Sequence, residues 1–267
     1  MPQTPEQFDT WVRRFHPAPH GTVRLVCLPH AGGSASFFFP VSKALAPAVE
    51  VLAIQYPGRQ DRRHEPGIVD LHDLADRIFE ALRPLAGRPL ALFGHSMGAV
   101  LAYEIALRMR DAGLPAPVNL FASGRRAPSR HRDERVHLEP DDRIVAELRT
   151  LSGTHASVLA DPEVLAMIMP AVRSDYRAVE TYRHGPGRRL DCPVTVLTGD
   201  EDPRVTVDEA SAWKEHTTGP TELRVLPGGH FFLVEQSARV IGIVAEKLAG
   251  GGAGAADRRD DHAGHRP

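Results

Sequence analysis

The stretch ALFGHSMGAVLAYEIALRM, residues 91–109, limits the fold of this sequence more than any other. A short apolar run from Leu90 to Phe93 ends at Gly94. From Met97 onward Val100, Leu101, Ile105 and Leu107, with Ala102 and Ala106, follow helical spacing rather than alternation. Between strand and helix stands Gly94-His95-Ser96-Met97-Gly98, a G-x-S-x-G. The glycines let the backbone turn tightly and let helix and strand approach closely. Such a turn exposes the Ser96 hydroxyl at a helix N-terminus, where the helix dipole and the N–H of Met97 can stabilise an oxyanion. Ser96 is therefore the expected nucleophile.

The rest of the chain repeats this strand–helix alternation. Val23 to Leu28, Val51 to Tyr56, Val118 to Ala122, Val194 to Leu197 and Leu223 to Leu226 read as strands. Helical spacing covers Phe37 to Leu45, Asp70 to Leu82 and Phe232 to Leu248. Alternation of this kind predicts an α/β fold, a mostly parallel sheet with helices on both faces. Residues 125–190 hold no convincing strand. Asp142 to Leu151 places Ile144, Val145, Leu148 and Leu151 on one face, and Asp161-Pro162 reads as an N-cap with proline at the first helical position. Pro170 is expected to kink or split that second helix. The segment is expected to be a helical lid inserted over the carboxyl edge of the sheet, dividing a core made of residues 1–124 and 191–248. Residues 249–267 are rich in glycine, alanine and charge and are expected to be disordered. The histidines there match no metal-site spacing.

Composition excludes several classes. At 267 residues and 42% hydrophobic, the chain can bury a large core. A net charge of −2 argues against nucleic-acid binding driven by bulk charge. The two cysteines, Cys27 and Cys192, lie in or beside apolar runs and read as buried free thiols. The N-terminus lacks a basic segment followed by an apolar core, and no window reaches membrane-span length, so a cytoplasmic protein without membrane contact is expected.

A serine hydroxyl needs a base to take its proton and a third group to orient that base. In α/β-hydrolases the chain order is serine, acid, histidine. His230, in LPGGHFFLVEQ, follows a short strand on a Gly-Gly loop and is the expected base. The loop LTGDEDPRV offers Asp200, Glu201 and Asp202 as acids. The loop PHAGGSA after the first long strand can turn the N–H of Ala31 inward as a second oxyanion donor. Phe37, Phe38, Phe39, Met167, Met169 and Tyr176 are candidates for the wall of an acyl chamber. This chemistry calls for no cofactor and no metal.

LPHAGGSAS, YPGRQDRRHEP, LFGHSMGAVLAYEIA, LTGDEDPRV and LPGGHFFLVE, in that order, resemble the motifs of the type II thioesterases of polyketide and nonribosomal peptide synthesis. The resemblance spans roughly Phe15 to Leu248, with Gln60 where the family often has glycine. It implies a stand-alone enzyme of the α/β-hydrolase fold that hydrolyses acyl thioesters on the phosphopantetheine arm of an acyl or peptidyl carrier protein. Carried over, Ser96 is the nucleophile, Asp202 the acid, His230 the base, and the N–H groups of Met97 and Ala31 form the oxyanion hole. Pro203 biases Asp202 toward an extended backbone and supports that choice. Arg59, Arg62, Arg63, Arg125, Arg126, Arg130 and Arg132 follow two strand ends on the Ser96 edge and are expected to meet the acidic carrier or its phosphate, a solvated basic rim being the alternative. A general esterase or lactonase, a thioesterase domain cut from a synthase, and a non-catalytic carrier-binding module remain the competing readings.

Overall fold

A computed structural model describes residues 5–151 and 158–251. In chain order the strands are β1 (Val12–Arg13), β2 (Val23–Leu28), β3 (Val49–Ile54), β4 (Leu90–His95), β5 (Leu120–Ser123), β6 (Val194–Gly199) and β7 (Thr221–Leu226). The helices are α1 (Pro5–Trp11), α2 (Phe39–Leu45), α3 (Leu71–Leu82), α4 (Met97–Asp111), α5 (Asp141–Leu151), α6 (Pro162–Thr181), α7 (Val207–Ser211), α8 (Phe232–Glu235) and α9 (Ser237–Gly251).

The seven strands form one sheet in the order β1-β3-β2-β4-β5-β6-β7. β1 pairs antiparallel with β3, and the other neighbours pair in parallel. Side chains alternate faces along a strand, so both faces of a parallel sheet must be apolar when both are covered. In β4, Leu90 and Leu92 pack with α3 and α4, while Ala91 and Phe93 face the cluster that holds Leu45 of α2 and Val240, Val244 and Leu248 of α9. That is why the strands read as continuous apolar runs. β7, at the edge, carries Glu222 and Arg224, and Glu222 meets Lys247 of α9. Charges on an edge strand discourage pairing with another chain.

The order of strands fixes the place for a site. From β2 the chain steps out to β3, then returns across β2 to β4. Leu28 of β2 lies beside Gly94 of β4, so the loops leaving these two strands face each other at the carboxyl edge. This is the topological switch point at which open α/β sheets bind ligands.

Between β5 and β6 the described residues hold no strand, only the helices α5 and α6 and short 3₁₀ turns. Asp161 caps α6, accepting the N–H groups of Glu163 and Val164, with Pro162 in the first turn. Ile144, Val145, Leu148, Leu159, Met169, Val172 and Tyr176 form a separate apolar cluster. The C-terminal part of α6 (Ala178, Val179) and Tyr182 join the main core instead.

Three boundaries differ from expectation. Pro170 does not split α6, which is continuous across it. Pro170 and Ala166, whose carbonyl loses its helical partner, are both exposed, so water can satisfy that oxygen. The final helical stretch is two pieces, α8 and α9, and α9 continues through residues 249–251, which were expected to be disordered. The remainder of the expected tail, 252–267, lies outside the described residues. Cys27 and Cys192 are buried and free, and burial pushes the Cys192 thiol up to about 12.

Candidate active site

Ser96 sits between β4 and α4 with φ +54° and ψ −115°, a region that side-chain-bearing residues rarely adopt. Its flanking glycines explain how the chain gets there. A Cβ on Gly94 would lie 2.0 Å from the carbonyl oxygen of Gly98, and a Cβ on Gly98 would lie 2.0 Å from that of Leu28. Only hydrogen fits at either position, so α4 can begin directly against β2 and β4. The N–H of Ser96 donates to the carbonyl of Ser123 on β5 at 2.8 Å, which fixes the corner.

Three side chains from distant loops then meet in a line. Ser96 Oγ stands 3.0 Å from His230 Nε2. His230 Nδ1 lies 3.0 and 2.9 Å from the two carboxylate oxygens of Asp202. A carboxylate can only accept, so Nδ1 carries the proton and Nε2 is left to accept from the serine hydroxyl. His230 and Asp202 are both buried. Asp202 Oδ1 also accepts the N–H of Arg204 at 2.8 Å, which holds the carboxylate in place. Asp200 and Glu201 are exposed; Asp200 accepts the N–H of Gly228 at 2.9 Å and so braces the loop that carries His230.

Met97 occupies the first position of α4, where an N–H has no intrahelical acceptor. Ala31 lines a cavity of about 50 Å³ together with Ser96, His230 and Phe231. Leu148 and Leu151 of α5 and Tyr176 and Val179 of α6 close its other side. The inserted helices therefore form a wall of the cavity that holds the serine. A larger groove of about 360 Å³, lined by Trp11, Arg62 and Ile68, shares no residue with it and carries no nucleophile. Among the described residues no group of three or more His, Cys, Asp or Glu side chains is arranged to hold a metal ion.

Two further imidazoles surround the base. The rings of His95 and His230 are 5.2 Å apart, and those of His30 and His95 are 5.9 Å apart. Burial lowers His30 to about 3, with the charges of His230 and Arg59 adding to the effect. Burial, then His230 and His30, hold His95 well below the ordinary histidine range. Both rings stay neutral and place no positive charge beside His230.

The profile of the thioesterase domain matches residues 23–248, which take in β2 to β7 and the insertion. The chain belongs to the thioesterase family. The thioesterase is 57% identical over 238 residues to the probable cadicidin biosynthesis thioesterase of Streptomyces griseus, spanning 89% of this chain and 66% of that protein. It is 49% identical over 240 residues to thioesterase PikA5 of Streptomyces venezuelae, spanning 89% of this chain and 85% of that one. Among solved structures, that of the type II thioesterase BorB from the borrelidin biosynthetic cluster superposes with a TM-score of 0.85 at 53% identity, covering 90% of this chain and 98% of BorB. The thioesterase is thus a hydrolase of the α/β-hydrolase fold.

Several residues expected near the substrate lie elsewhere. Arg59, Arg62 and Arg126 are buried rather than offered to a partner. Arg59 pairs with Asp175, Arg62 with Glu65 and Arg126 with Glu134, because a buried guanidinium must find a carboxylate. Arg125 is half-buried and lines the cavity itself. Arg132 pairs with the part-buried Glu209 and Arg130 with Glu215, which leaves Arg63 as the exposed member of the expected patch with no ion pair among the described residues. Met167 is 57% exposed and Phe39 47%, whereas Phe38 is in the core and Phe37 packs edge-on against His30. Phe231 takes the aromatic place in the cavity wall. Asp175 escaped sequence reading, although a carboxylate three residues after Val172, inside the apolar stripe of α6, was the available signal.

Proposed function

We propose that this thioesterase hydrolyses acyl thioesters from the phosphopantetheine arm of acyl or peptidyl carrier proteins, clearing stalled or wrongly loaded groups from a polyketide or nonribosomal peptide synthase. The observation that carries the chemistry is the line Ser96–His230–Asp202, opening into a cavity bounded by the inserted helices. Ser96 Oγ attacks the thioester carbonyl while His230 Nε2 takes the hydroxyl proton and Asp202 steadies the imidazolium. The N–H groups of Met97 and Ala31 receive the oxyanion. Collapse expels the pantetheine sulfur, which takes the proton from His230 and leaves an ester on Ser96. Water then attacks that ester with His230 as base, and a second collapse releases the acid and restores the serine.

The names of the relatives, from cadicidin and borrelidin biosynthesis, support a role beside such a synthase. The motif pattern also resembles that of the rifamycin-synthase type II thioesterase, and a cytoplasmic setting is part of the same proposal. Among the described residues no helix is long and apolar enough to cross a membrane. Arg63, in the loop after β3, is the basic group of that set left accessible for the acidic carrier. The test is turnover of acyl-carrier proteins against the same acyl groups on coenzyme A and on oxygen esters. Preference for the carrier-bound thioester is expected. Faster cleavage of simple oxygen esters would instead make the chain a general esterase.

A further inference from the structure

The inserted helix α6 is fastened to the loop that carries Ala31 by one buried ion pair. Asp175, on α6, is 1% exposed, and Arg59, from the loop after β3, is 7% exposed. The guanidinium grips the carboxylate with two parallel bonds, Nη1 to Oδ2 at 2.6 Å and Nη2 to Oδ1 at 2.8 Å. Neither partner stops there. Asp175 Oδ2 accepts the N–H of Gly32 at 2.8 Å, and Arg59 Nη1 donates to the carbonyl of Gly33 at 2.9 Å. Gly32 takes φ +75°, and a Cβ on it would lie 2.9 Å from Cγ2 of Val172, one turn before Asp175 on the same helix. From the end of β3, Gln55 completes the support: its Oε1 accepts the N–H of Ala35 and its Nε2 donates to the carbonyl of Arg59.

A tie that served only to hold α6 down could end anywhere on the core. This one ends on the N–H of Gly32 and the carbonyl of Gly33, the two residues that follow Ala31. We propose that Asp175 and Arg59 are positioning residues for thioester hydrolysis: they orient the Gly32 and Gly33 peptides, and through them the Ala31 N–H, so that the oxyanion hole is complete only while α6 is seated. The proposal rests on the assignment of Ser96 as nucleophile and Ala31 as oxyanion donor. It makes the position of the inserted helices and the power to stabilise the tetrahedral intermediate one and the same variable.

Asparagine at 175 has nearly the shape of aspartate but must turn an N–H₂ either toward Arg59 Nη2 or toward Arg59 Nη1 and the Gly32 N–H together, all donors, so part of the tie is lost in both orientations. Lysine at 59 keeps the charge and loses the fork. The experiment measures Asp175→Asn and Arg59→Lys with an acyl-pantetheine thioester, and with its trifluoromethyl ketone analogue, which forms a tetrahedral adduct on a nucleophilic serine. Active sites are counted by fluorophosphonate labelling, so that only folded enzyme is compared. Loss of an oxyanion donor outright costs about 10²–10³ in kcat, so misplacement should lower kcat about 10- to 100-fold in Asp175→Asn and less in Arg59→Lys. KM should stay within about twofold, because the ground state does not use the hole. Affinity for the ketone should fall in step with kcat/KM across both variants. Unchanged ketone affinity per labelled site, with any loss confined to KM or melting temperature, would overturn the positioning role alone. Absence of a ketone adduct on Ser96 in the wild-type enzyme would overturn the nucleophile assignment and the proposal with it.

Discussion

Gly98 shows how little freedom the turn around the nucleophile has. A Cβ there would lie 2.0 Å from the Leu28 carbonyl oxygen, so only glycine lets α4 start this close to β2. Gly98→Ala should force α4 off β2 and cost at least about 2–3 kcal/mol, read as a lower urea midpoint together with lost turnover. The acid is equally specific to one position. Asp202→Asn should keep the fold and lower kcat by about 10⁴, as the wrong tautomer does in a related triad. Asp200→Asn keeps an oxygen acceptor for the Gly228 N–H and should cost little; the reverse ranking would move the acid to Asp200. The buried histidines give the protein an acid limit of their own. Burial, and then the neighbouring His184, lower His216 to about 4, while Ser129 holds its Nε2. The unfolded chain, with histidine in its ordinary range near about 6.5, therefore binds more protons than the fold in the interval between. Stability should be full above that range and fall as the pH drops toward 4. A urea titration at pH 7 and pH 5 should show the midpoint falling in the wild type and falling less in His216→Gln. An equal fall in both would mean that His216 contributes nothing to the slope.

Among the elements, α6 has two ends with different duties. Val179 and the following Tyr182 are built into the main core, whereas Met169 and Val172 belong to the smaller cluster shared with α5. Hydrogen exchange should accordingly be graded along the insertion, fastest in α5 and the first turns of α6, slower past Asp175 and slowest in β4 and β6. Protection equal to that of the sheet throughout would count against opening. Leu148, Leu151, Tyr176 and Val179 wall the cavity beside Ser96, so a long acyl chain is expected to displace the insertion as it enters. The rate for long chains should then rise with conditions that loosen α5, while that for acetyl should not. The insertion was legible as two helices because Asp161-Pro162 and the stripe of Ile144, Val145, Leu148 and Leu151 obey local rules. Its internal partners were not legible. Pairing Arg59 with Asp175 joins residues 116 apart in sequence; the apolar stripe around Asp175 hints that it is buried, but nothing local in YPGRQ or VRSDY names its partner. The continuity of α6 across Pro170 was missed for a related reason: the freed Ala166 carbonyl faces solvent, which is a tertiary fact.

Over the whole molecule the sheet order brings three loops far apart in sequence to one edge, and most of that was readable from motif order alone. Motif order singled out Ser96 and His230 and left three acids, of which the family resemblance and Pro203 selected Asp202; the three side chains stand in one hydrogen-bonded line. The charge map was read less well, because arginines near a strand end look alike in sequence whether they face a partner or a buried carboxylate. With Arg59, Arg62 and Arg126 satisfied inside the protein, carrier recognition falls to exposed groups. Arg63→Glu should raise KM for an acyl-carrier protein about threefold or more while leaving KM for the matching acyl-pantetheine thioester alone. An equal rise for both would place Arg63 outside docking. On the proposed function, an acyl group passes from the carrier to Ser96 before water takes it. Rapid mixing of enzyme with a stoichiometric acyl-carrier protein, followed by acid quench and peptide mass spectrometry, follows that transfer. An acyl ester on Ser96 should appear as the carrier thiol is freed and then decay, with neither adduct nor thiol release in Ser96→Ala. Thiol release at the wild-type rate in Ser96→Ala, or an acyl group carried on any other residue, would rule out transfer through Ser96.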